Sequence, residues 1–126
     1  IKVVRAGTKI LEIGEAIERF VGLRGYRVIR EFGGHHIGRE MHEMPHIPHY
    51  AIYDDIKLRE PLKEGAIICI EPMITPGRGR MAISKEDGWT AFCPDGQPVV
   101  MYEHMILVTK DGYEILTKHF DQESYQ

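Results

Sequence analysis

Apolar residues recur at helical spacing early in the chain and at strand spacing later, with a patternless stretch between. Over residues 11–24, Ile13, Ile17, Phe20 and Val21 fall on one side, with Glu12, Glu15, Glu18 and Arg19 largely opposite. That period predicts an amphipathic helix, started near Thr8 and stopped by Gly25. Gly14 inside it costs roughly 1 kcal/mol relative to Ala. Residues 26–30 read as a short strand ended by Gly33-Gly34. Residues 35–50 are rich in Pro and His and have no period, which predicts an ordered loop. Residues 54–65 are polar and read as a surface connection into a strand at 66–71, which Pro72 must end, bend or leave at an edge. Residues 75–80 form a Pro/Gly/Arg loop and 88–92 a short strand. Residues 99–109 make the longest strand, and Lys110-Asp111-Gly112 turns it into a hairpin partner at 113–116. The polar tail 121–126 is expected to fray. One early helix followed by antiparallel strands is an α+β arrangement.

Composition narrows the picture. The chain of 126 residues, 43% hydrophobic and 28% charged, bounds one soluble globular domain or part of one, long enough to bury its own core. A formal net charge of -3 gives no reason to expect nucleic acid or an anionic membrane as a partner. Cys69 and Cys93 lack metal-type spacing; they allow one bridge but read as one core and one loop thiol of a reduced, intracellular protein. No apolar stretch approaches transmembrane length, and none reads as a signal peptide. The opening at Ile1 rather than Met reads as a cut through a longer polypeptide.

Two glutamates stand where carboxylates are costly. Glu71 closes the apolar run 66–71, and Glu103 interrupts the run 99–108. By alternation Met101, Glu103, Met105 and Leu107 share one face of the later strand, while Glu71 shares a face with Cys69 and Ile67. Both faces of the later strand are largely apolar, so Glu103 is expected to point into an interior or cleft. Burying a carboxylate requires a cation or good donors. Arg39, Arg78 and Arg80 are available as ion-pair partners. A divalent ion is the alternative, favoured because seven His are present and His35, between Gly33-Gly34 and Ile37-Gly38, lies where small neighbours allow close approach.

These residues form three ordered blocks: Gly34-His35-x-Ile37-Gly38-x-x-x-His42-Glu43-x-Pro45, Ile70-Glu71-Pro72-Met73 and Tyr102-Glu103-His104. Together they resemble the C-terminal half of the methionine aminopeptidases, over nearly the whole chain. The short distance from Pro45 to Glu71 resembles type I enzymes. Glu71-Pro72-Met73 differs from the Glu-Pro-Gly usual in X-Pro aminopeptidases and prolidases. The resemblance implies half of a pita-bread fold, with antiparallel strands backed by helix. It implies His35, Glu71 and Glu103 as metal ligands, with Glu103 bridging two ions. His42 would bind substrate and the developing oxyanion, Glu71 would also shuttle protons, and Met41 and Trp89 would line the pocket for the methionine side chain. Two divalent ions (Co, Mn, Fe or Zn) roughly 3.5–4 Å apart would activate water for attack on the first peptide bond. The implied function is removal of initiator methionine from nascent proteins in the cytoplasm.

The chain departs from the pattern in places. The two aspartate ligands and a further histidine of the N-terminal half have no counterpart here, and Asp54-Asp55 lies in a polar connection. His36 and Glu40 are bulkier than the residues usual at their positions. Three ligands hold two ions poorly, so the isolated chain is expected to bind metal weakly, to be inactive, and to dimerise or domain-swap through its exposed face. The other readings are an X-Pro peptidase of the same fold and a non-catalytic pita-bread interaction module.

Overall fold

The structure, a computed structural model, describes residues 1–118, so the polar tail lies outside the described residues. One helix, α1 (Ile10–Gly22), precedes ten short strands: β1 (Arg27–Val28), β2 (Gly34–His36), β3 (Glu43–Ile47), β4 (Ile67–Ile70), β5 (Met73–Thr75), β6 (Ala82–Ile83), β7 (Ala91–Phe92), β8 (Val100–Met101), β9 (His104–Val108) and β10 (Tyr113–Ile115). Every strand pair is antiparallel. A five-stranded sheet runs β10-β9-β4-β2-β3, a three-stranded sheet runs β1-β5-β8, and β6 and β7 form a separate hairpin. The α+β reading is therefore correct.

The helix starts at Lys9 rather than Thr8. The Lys9 N–H donates to the Glu12 carboxylate at 3.4 Å, while the Thr8 hydroxyl is buried and donates to the Val3 carbonyl at 2.8 Å. Gly25 ends the turn beyond it at φ +79°. Ile10, Ile13 and Val21 are buried, but Phe20 is exposed, with the Arg24 guanidinium 3.5 Å above its ring. Gly14 serves packing. A Cβ there would collide with the Tyr50 carbonyl oxygen and stand 2.9 Å from that of Pro48, so the helix lies on the backbone of residues 48–50.

Ile10 and Ile13 meet Ile47, Ile68, Ile70, Ile106 and Val108 on one face of the five-stranded sheet. Leu58 and Leu62 join this core, so the stretch 54–65 is a surface connection only in part. A 3₁₀ turn, Ile56–Arg59, begun by the Asp55 carboxylate accepting from the Lys57 N–H at 2.9 Å, turns Leu58 inward.

Two further expectations are corrected. The His/Pro stretch contains β2 and β3, with β3 at the sheet edge, where Pro45 removes no needed donor. The long strand 99–109 is two strands in different sheets, β8 and β9, separated at Tyr102-Glu103. The chain makes the matching transfer at Glu71-Pro72, between β4 and β5. Both glutamates thus stand where the ladder leaves one sheet for the other, beyond regular backbone pairing.

Candidate metal centre

Register brings the polar residues to one face. His35 pairs with Cys69, Cys69 with Met105, and Ile70 with His104. One step further along this ladder, Glu71 comes opposite Glu103. Alternation places His35, Cys69, Glu71, Met105 and Glu103 on the face away from the Ile68–Ile106 core. His36, opposite Ile68, is turned elsewhere, and its Nδ1 donates to the Pro45 carbonyl at 2.9 Å.

The sheet packs tightly here. A Cβ on Gly34 would collide with the Cys69 carbonyl oxygen and lie 2.9 Å from His49 Nε2, so only glycine lets β2 approach β4. Gly38 lies beneath the Glu43 carboxylate, whose oxygens would be 2.7 Å from a Cβ, but that flexible side chain could move aside. His49 is fully buried, and its Nε2 accepts the Glu71 N–H at 3.3 Å, which fixes the end of β4. Burial lowers its pKa from 6.5 to about 4, so the ring is neutral and able to accept.

His35 Nε2 lies 3.2 Å from Glu71 Oε1. His35, Cys69 and Glu103 each offer a donor atom within 4.8 Å of the others. The His35 and His42 rings meet edge-on with centroids 4.3 Å apart. His35 Nδ1 is 2.9 Å from the His36 carbonyl oxygen, which can only accept, so Nδ1 carries the hydrogen. Nε2 is thereby turned toward the Glu71 carboxylate oxygen. A contact at that distance is held by a proton on Nε2 or by a metal cation between the two atoms.

Electrostatics agree. Burial raises the pKa of Glu71, and the facing Glu103 charge raises it further, against the opposing influence of His35 and His42. Burial pushes the Cys69 thiol up to about 12, reinforced by its hydrogen bond to Glu103 and by the charges of Glu103 and Glu71. Among the described residues, no Arg or Lys forms an ion pair with either glutamate. Arg30 pairs with Glu18 at 3.0 Å and Arg80 with Glu31 at 2.7 Å. Two like charges beside an oriented imidazole and no organic cation suit a divalent ion, with the oxygen and nitrogen donors such ions take.

Glu103 is exposed, not interior, because it lies past the end of the ladder. The cleft above His35 and Glu71 has a volume of about 430 Å³, and its wall includes His42, His46, Phe32 and Tyr50. Met41 and Trp89 do not line it. Met41 is exposed in the loop leading to His42, and Trp89, 87% exposed, lies in the turn between β6 and β7. His42 itself is exposed at the rim. Sequence reasoning missed His49, since one more His in a Pro-rich stretch gives no sign of burial. It had Cys69 on the correct face without weighing its nearness to His35.

Comparison with known proteins identifies the family. A family model described as "Metallopeptidase family M24" matches residues 1–110. A methionine aminopeptidase of Escherichia coli (strain K12) is 41% identical over 121 residues, covering 96% of this chain and 44% of that protein. The crystal structure of methionine aminopeptidase from Rickettsia prowazekii superimposes with a TM-score of 0.86 at 42% identity, over 94% of this chain and 46% of that one. A prolidase from Pyrococcus furiosus has a TM-score of 0.66 at 26% identity, over 94% of this chain and 28% of that one. The chain spans less than half the length of these relatives.

Proposed function

From the premise that this chain belongs to metallopeptidase family M24, we propose that it supplies the imidazole–carboxylate half of a two-metal centre that removes methionine from protein N-termini. The observation that supports this most directly is the meeting of His35 Nε2 and Glu71 Oε1 at 3.2 Å, with Glu103 on the same face. In this reading His35, Glu71 and Glu103 hold the ions, and two aspartates come from a segment outside these residues. Divalent ions held there (Co, Mn, Fe or Zn) supply activation of water and polarisation of the scissile carbonyl.

The chain's own residues do the rest. Glu71, raised by burial and by Glu103, is suited to take a proton from water and pass it to the departing amine. His42, at the rim beside His35, donates a hydrogen bond to the carbonyl oxygen as negative charge develops on it. His35 is held by its Nδ1–H bond to the backbone, which keeps Nε2 directed into the site. Met41 and Trp89 contribute to the methionine pocket once substrate or the remaining segment covers them. New N-termini emerge in the cytoplasm, and that is the compartment this reading implies. Among the described residues no helix is long and apolar enough to cross a membrane.

The test is release of methionine from a Met-Ala-Ser peptide by the natural protein carrying this chain, with Mn²⁺ or Co²⁺, beside an Ala-Pro-Ala peptide. Metal-dependent release of methionine, abolished by Glu71→Gln, is expected, and this chain alone should be inactive. Preference for the Pro peptide would point to the X-Pro reading, and metal binding without turnover of either peptide to an interaction module.

A further inference from the structure

We propose that Cys69 gives this centre a sulfur donor, so that His35, Cys69 and Glu103 together hold a thiophilic divalent ion such as Zn²⁺ or Cd²⁺. The proposal rests on the reading of this face as a cation site and adds to it a second binding mode with a different donor set.

The geometry is explicit. Cys69 and His35 are direct cross-strand partners, and Glu103 lies two residues from Met105, the partner of Cys69 on its other side. Donor atoms of the three lie within 4.8 Å of one another. Tetrahedral zinc, with Zn–S near 2.3 Å and Zn–N or Zn–O near 2.0–2.1 Å, sets donors roughly 3.3–3.8 Å apart. The set therefore need close by no more than about 1–1.5 Å. His35 and Cys69 are fixed by β2 and β4, so the movement falls to Glu103, whose exposed side chain stands beyond the ladder end.

This set overlaps the His35, Glu71 and Glu103 set proposed above. Hard ions take His35, Glu71 and Glu103, because carboxylate oxygen suits them. Soft ions exchange Glu71 for Cys69, because thiolate sulfur suits them. On binding, the Sγ–H bond breaks, an Sγ–metal bond forms, and the proton is released to solvent. The ion identity would then depend on which triad closes.

The experiment titrates Co²⁺ into the natural protein carrying this chain, in a Cys93→Ser background, and follows absorbance. A near-ultraviolet thiolate-to-cobalt charge-transfer band is expected together with visible d–d absorption. Cys69→Ser and Cys69→Ala should lose the first and keep the second. Their Cd²⁺ affinity should fall by at least the roughly 10–100-fold that loss of an outer-shell partner costs, with Mn²⁺ affinity nearly unchanged. Cadmium NMR of the unaltered protein, which needs no variant, should give a resonance in the downfield range of sulfur-bearing sites. A d–d spectrum without charge transfer, or a cadmium resonance in the all-nitrogen/oxygen range, overturns the sulfur donor and leaves the cation site standing. Absence of any cobalt spectrum overturns both.

Discussion

His49 is placed so that acid should destabilise the protein in a defined pH window. The ring is buried against Gly34 and accepts the Glu71 N–H, and it is held neutral down to about pH 4, against an ordinary value of 6.5. Below 6.5 the unfolded chain binds a proton there that the folded chain does not, so stability falls with falling pH. The loss stops once the folded ring also protonates near 4. The slope is about 1.4 kcal/mol per pH unit, giving about 2 kcal/mol lost between about pH 7 and pH 5 and about 3 kcal/mol over the whole window. Glu71 acts with the opposite sign, because its raised pKa favours the folded state as acid is added. The assay is therefore differential: urea denaturation followed by far-ultraviolet circular dichroism, for wild type and His49→Gln, across this range. Gln keeps an acceptor for the Glu71 N–H and removes the titration. The wild-type curve should fall more steeply than the variant's by about 2 kcal/mol between about pH 7 and pH 5. Parallel curves would refute the buried, neutral imidazole.

Other expectations follow from close contacts and from ligand linkage. Gly14→Ala should destabilise by roughly 1–3 kcal/mol in denaturant, despite the helix preference for Ala, because its Cβ strikes the Tyr50 carbonyl. Gly34→Ala should cost at least as much, and isothermal titration should show weakened divalent-ion binding, because β2 cannot move off β4 without carrying His35 away. Mn²⁺ at about 100 times its Kd should stabilise the protein by about 2.7 kcal/mol, reversed by chelator and absent in Glu71→Gln, as read by thermal denaturation.

Much of the site was legible because its chemistry violates local expectation. Glu71 and Glu103 interrupt apolar runs, and alternation alone put Cys69 beside Glu71 and Met105 beside Glu103. Glycines flanking His35 signalled close approach, and the Gly34 contact with the Cys69 carbonyl is that approach. What stayed hidden was set by partners distant in sequence. The strands β2 and β3 are short and built from His, Pro and Glu, so their pairing comes from β4 rather than from any period of their own. The break between β8 and β9 has no local signal. It follows from β4 ending at Ile70, which leaves Glu103 without a ladder partner. Leu58 and Leu62 were masked by their charged neighbours, and Phe20 followed the helical period yet stays exposed, at an open apolar groove it shares with Ile17, Ile70 and Ile74.

The central claim is that one cation locus is shared by His35, Glu71 and Glu103. Anomalous diffraction from crystals of the natural protein grown with Mn²⁺ tests it most directly. A peak within bonding distance of His35 Nε2 and of carboxylate oxygens from Glu71 and Glu103 is the predicted result. Ordered Mn²⁺ elsewhere, with Glu71 and Glu103 turned away from His35, would contradict it.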